Sequence, residues 1–109
     1  MELRRTPRAP IDAPVEFSIE KGGGSRVTGQ ARDISLGGMF VVTDTPAPFG
    51  GDVTVTITLP GQRAPFVLPG IVRWVGNGGM GIQFKMLGAR ETHAITEVVR
   101  ESEESEVKF

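Results

Sequence analysis

The run Val53-Thr54-Val55-Thr56-Ile57-Thr58-Leu59 alternates apolar and polar residues without a break. Successive side chains point to opposite faces only in an extended strand, and β-branched residues on both faces suit that backbone. This part of the chain is therefore committed to a sheet. Val15-Glu16-Phe17-Ser18-Ile19-Glu20 repeats the pattern. After the break Gly22-Gly23-Gly24-Ser25, residues 26–34 read as a more polar strand. Met39-Phe40-Val41-Val42 is a short apolar strand closed by Thr43-Asp44-Thr45-Pro46. Phe66-Val67-Leu68 and Ile71-Val72-Arg73-Trp74-Val75 flank Pro69-Gly70, which predicts one long strand bent or bulged there, on an edge. Gly81-Ile82-Gln83-Phe84 is the last strand, and Asn77-Gly78 before it signals a hairpin.

Six short strands in about 70 residues, with turns between them and no long helix, imply an antiparallel barrel or sandwich. Only residues 89–101 read as helical, with Ala94, Ile95, Val98 and Val99 on one face and Leu87 just before. Such a stripe would cover an open edge of the barrel. The chain has 109 residues, an ordinary length for one domain, and its 15 Gly and 8 Pro fit many turns better than a helical bundle. The expected layout is an Arg-rich flexible arm over 1–10, a barrel over 13–84, a helix over 89–101 and an acidic tail over 102–109.

Several function classes are excluded at this stage. The chain has no Cys, so it holds no disulfide, thiol nucleophile or Cys-ligated zinc, which suits a reducing cytoplasm. No apolar run approaches the ~20 residues of a membrane helix, and no apolar segment follows the N-terminal arginines as in a signal peptide. A cytoplasmic protein without membrane insertion is expected. Formal net charge is −1, where a general nucleic-acid binder carries a basic excess. With 6% aromatics and no Tyr, a stacking platform for single strands is also disfavoured.

The charge is unevenly placed. Arg4, Arg5 and Arg8 outweigh Glu2 at the start, while Glu97, Glu101, Glu103, Glu104 and Glu106 outweigh Arg100 and Lys108 at the end. The acidic end reads as a solvated helix terminus or a frayed tail. The basic end, broken by Pro7 and Pro10, reads as a solubilising terminus or as an extended arm. An arm of Arg without Lys suits planar, bidentate recognition of anions and bases.

Most motif candidates fall away. Gly76-Asn77-Gly78-Gly79-Met80-Gly81 spells G-x-G-x-x-G, but strand rather than helix follows, so no helix N-terminus awaits a pyrophosphate. His93 is the single histidine, lies in the predicted helix and has no nucleophile motif beside it. No spaced carboxylate pair or phosphate loop supports catalysis, and no metal or other cofactor is expected. The chain does not read as an enzyme.

Asp33-Ile34-Ser35-Leu36-Gly37-Gly38 closes one strand and opens another, and on its own is a turn. Together with Arg4-x-x-x-Arg8 upstream, Asp33-x-Ser35-x-x-Gly38 resembles the two-part signature of the PilZ domain family. The likeness extends over essentially the whole chain, through Gly79-Met80-Gly81-Ile82-Gln83-Phe84 to the terminal helix. It implies a mainly all-β fold, a six-stranded antiparallel PilZ-type barrel with one C-terminal α-helix. It also implies a non-enzymatic receptor for the bacterial second messenger cyclic di-GMP.

By the family pattern Arg4 and Arg8 would grip guanine or phosphate, with Arg5 adding a further contact. Asp33 would accept from a guanine's N1–H and amine. Ser35 would offer a hydroxyl, and Gly38 would let the backbone pass close to the ligand. Trp74 stands where some members place an aromatic against a guanine; a core or barrel-surface position is the competing reading. A receptor of this size would signal through a downstream protein partner in motility, pilus or exopolysaccharide control. The alternative is a ligand-independent PilZ-type interaction module.

Overall fold

The computed structural model describes residues 8–19 and 26–107. Six strands follow in chain order: β1 (Ala9–Ile19), β2 (Arg26–Ile34), β3 (Gly38–Val42), β4 (Asp52–Ile57), β5 (Phe66–Gly76) and β6 (Gly79–Phe84). One helix, α1 (Ala89–Val107), follows them among the described residues. All strand pairs are antiparallel, and the order β1-β2-β3-β6-β5-β4 closes into a barrel.

The alternation read from the sequence becomes the wall of this barrel. Val53, Val55, Ile57 and Leu59 are buried inside, while the threonines between them face outward. Phe17, Val41, Leu68, Val72 and Met80 complete the interior from the other strands. Asn77 and Gly78 both adopt positive φ (52° and 77°), which makes the two-residue turn joining β5 and β6 and settles the glycine run as a hairpin.

Five expectations need correction. β1 begins at Ala9, inside the span expected as an arm, because Ala9 is fully buried in the core. Pro10 and Pro14 are tolerated there since β4 pairs with β1 only from Val15 onward, which leaves β1 one neighbour at that end. The β5 bulge falls at Arg73, between Val72 and Trp74, and not at Pro69-Gly70. Nor is β5 an edge strand. Pro69 sits where the β6 ladder stops: Lys85 N–H donates to its carbonyl at 2.9 Å, and its donorless nitrogen faces the same way.

The helix also differs from expectation. The barrel has no open edge to cover, and α1 instead packs on β1 and sends Ala94, Ile95, Val98 and Val99 into the same apolar cluster as the barrel interior. It continues to Val107, through most of the span expected as tail, because glutamate is a good helix former and needs only solvent beside it. His93 lies exposed on the outer face of α1. Among the described residues no helix is long and apolar enough to cross a membrane.

Candidate functional site

Four neighbouring strands, in the order β2-β3-β6-β5, carry the walls of a pocket of ≈ 580 Å³. Arg8, Asp33, Ser35, Gly38 and Trp74, all singled out in the sequence, line it together. Arg4 and Arg5 lie outside the described residues. Phe40, Arg73 and Gln83 also line the pocket and were not expected there.

Two β-bulges bring these side chains to one place. In β2, Ala31 pairs with Val41 and Asp33 with Phe40, so Arg32 is the extra residue. Ala31 and Ile34 are therefore both buried although three apart, and Asp33 between them stays outside the core. Strict alternation from Ala31 would have aimed the Asp33 carboxylate into the barrel. Arg32 itself is held on the β1 side, 3.5 Å from Asp12. In β5 the extra residue is Arg73, so Arg73 and Trp74 are both exposed after buried Val72.

Asp33 is poised but unsatisfied. Arg8 Nη1 stands 3.2 Å from Asp33 Oδ1, close enough for charge pairing but not aligned as a hydrogen bond. That oxygen is shut off from solvent and accepts no hydrogen bond from any described residue. A buried acceptor left open costs stability, roughly 1–3 kcal/mol or more when charged, and such groups persist where a ligand supplies the donor.

Ser35 and Gly38 line the pocket and also do work within the fold that was not expected. The Ser35 hydroxyl is turned into its own loop, accepting from Gly37 N–H at 3.2 Å and Gly38 N–H at 3.3 Å. Its backbone N–H donates to the Gly38 carbonyl at 2.8 Å. Ser35 thus shapes the turn that follows Asp33 in place of offering a free hydroxyl. Gly38 is required by the approach of β6: a Cβ there would stand 2.0 Å from the Ile82 carbonyl oxygen. Ser35→Ala should lower stability by about 1–2 kcal/mol, since two N–H groups lose their acceptor. A thermal melt would read this as a drop of roughly 4–16 °C for a domain of this size, with ligand affinity changed less than stability.

Trp74 is a surface ring and not a core one. It is 46% exposed, and its ring centroid lies 5.7 Å from that of Phe40 in a tilted pair. Gly81 beside it leaves room, a Cβ there being 3.5 Å from Trp74 Cβ. The result is a supported aromatic face at the pocket rim, able to stack on a planar base.

With this geometry in view, the comparisons with known proteins are direct. The PilZ domain family matches residues 2–101, and the chain belongs to that family, a family of cyclic di-GMP-binding domains and not of enzymes. No curated protein is matched. The PilZ domain of CeSA from a cellulose-synthesizing bacterium superposes with TM-score 0.68 at 26% identity, over 88% of this chain and 97% of that one. The PilZ domain of YcgR from Escherichia coli, solved with c-di-GMP, gives TM-score 0.71 at 15% identity, over 95% and 94%. The Bacillus subtilis inhibitor of motility MotI gives TM-score 0.79 at 17% identity; 96% of this chain is covered but only 53% of that one.

Proposed function

We propose that this domain is a cytoplasmic receptor that binds cyclic di-GMP in the β2-β3-β6-β5 pocket and passes the signal to a protein partner. The observation that carries this reading is the buried, open acceptor Asp33 Oδ1 beside the Arg8 guanidinium and the exposed face of Trp74. Guanine is the base whose Watson–Crick edge offers two adjacent donors, N1–H and the 2-amine, to one carboxylate. Its other edge, O6 and N7, matches a guanidinium fork. Arg8, with Arg4 of the same motif and the adjacent Arg5, supplies forks for that edge and for the phosphates. Trp74 stacks on a base, and Ser35 and Gly38 hold the loop that fixes Asp33. No cofactor takes part; the dinucleotide is held by side chains alone.

The ligand named with the YcgR PilZ domain supports this choice of ligand, and MotI's name supports motility as one process under such control. Calorimetry with purified protein tests it. Binding well below ~1 mM is expected, and no heat up to ~1 mM, which corresponds to about −4 kcal/mol, rejects it in favour of a ligand-independent module. In the same titrations Arg8→Lys should bind almost as weakly as Arg8→Ala, about tenfold to hundredfold below wild type, because an ammonium keeps the charge and loses the fork. A lysine variant with wild-type affinity would reduce Arg8 to a diffuse charge.

A further inference from the structure

The β5 bulge exposes Arg73 beside Trp74, and Arg73 Nε donates to Gln83 Oε1 of β6 at 2.7 Å. The other two arginines on described strands each meet a carboxylate, Arg26 with Glu16 at 2.9 Å and Arg32 with Asp12 at 3.5 Å. Among the described residues Arg73 meets none. Its orientation comes from a neutral amide, which fixes the guanidinium without cancelling its charge. The hydrogen bond occupies the Nε–H and leaves both Nη groups, four N–H donors in one plane, for another partner. Both Arg73 and Gln83 line the pocket that holds Asp33 and Trp74.

We propose that Arg73 is a further ligand-binding residue of this pocket and that Gln83 is its positioning residue. The group it takes is a coplanar pair of acceptor atoms on the dinucleotide, either two oxygens of one phosphate or O6 and N7 of the guanine on Trp74. The inference rests on the proposed cyclic di-GMP site. Its added content is that the charge opposing the ligand is not confined to the N-terminal arginines. A second cation is built into the barrel wall, fixed before the ligand arrives, so little ordering is needed when it binds.

Calorimetry with cyclic di-GMP at low and high salt tests the pair in wild type, R73A, R73K, Q83L and the R73A/Q83L double variant. R73A should bind about tenfold to hundredfold more weakly. Q83L should lose less, and should add nothing in the R73A background, because its effect passes through Arg73. Melting temperatures should stay within a few degrees, as both side chains are exposed. If the partner is a phosphate, R73K recovers part of the affinity and R73A flattens the salt dependence. If it is the guanine edge, R73K binds no better than R73A and the salt dependence is kept. R73A with wild-type affinity, in a protein whose wild type binds, overturns the role of Arg73 alone. Equal losses from Q83L in both backgrounds overturn the positioning role. A wild type that does not bind rejects the cyclic di-GMP site itself, and the inference with it.

Discussion

Gly38→Ala is expected to damage folding far more than a single methyl group ordinarily does. The new Cβ would lie 2.0 Å from the Ile82 carbonyl oxygen, 3.1 Å from its carbon and 3.3 Å from Gln83 Cα, all backbone atoms of the neighbouring strand. No rotamer can relieve a clash made by Cβ itself, so β3 and β6 must part, and Gly38↔Gln83 is the pair that opens their ladder. The loss should reach about 4 kcal/mol or more, a large share of the ~5–15 kcal/mol that holds a domain together. A melt would show a fall of roughly 20 °C or no folded protein at all. Gly37→Ala is the internal control. A Cβ there meets only Ser35 Oγ at 3.9 Å, and the residue lacks positive φ, so that change should stay within about 1 kcal/mol. If the two variants melt alike, the approach of β6 to Gly38 is looser than described.

Asp33→Ala should divide binding from stability. Each hydrogen bond to a charged acceptor is worth about 1.5–3 kcal/mol, and a guanine edge makes two, so affinity for cyclic di-GMP should drop at least a hundredfold. Folding should be unchanged or slightly improved, because the variant removes a buried oxygen that has no hydrogen-bond donor among the described residues. The exposed pair with Arg8 adds little to offset this, at most about 1 kcal/mol, with the two side chains 53% and 33% exposed. Calorimetry beside a thermal melt reads both quantities. Loss of binding together with a large fall in melting temperature would mean that Asp33 supports the fold and not the site.

The strands were legible wherever the barrel keeps strict alternation, as in Val53 to Leu59, because one face of each wall packs inside and the other meets water. The hairpin was legible because only Asn and Gly enter a turn with two positive φ values cheaply. The two bulges were not. Ala31-Arg32-Asp33-Ile34 departs from period 2 by a single residue, and one exception in a polar strand carries no signal until its partner strand is known. The β5 bulge was misplaced at Pro69-Gly70 for a related reason: proline and glycine mark backbone stress by type, whereas Arg73 is displaced only by its register with Gly81 and Ile82.

The candidate site was half legible. Arg8, Asp33, Ser35, Gly38 and Trp74 stand together as the motif implied, yet Ser35 and Gly38 carry the loop and the strand contact. In the sequence a hydroxyl that faces a ligand and one that faces its own backbone look the same. Gln83 could not be found that way either, since its relation to Arg73 exists only across the β5–β6 ladder.

Each of the six strands has a hydrogen-bonded neighbour on both sides. A protein that recruits others by lending a sheet margin to a visiting peptide needs a long row of unsatisfied main-chain groups, and here the free margin of β1 is the short stretch before Val15, which carries Pro10 and Pro14. Strand addition is therefore a poor route for this barrel, both to complexes and to runaway polymerisation. Any protein that docks on the barrel wall must read side chains, so the specificity of that encounter can be rewritten by surface substitutions that leave the main-chain ladder untouched.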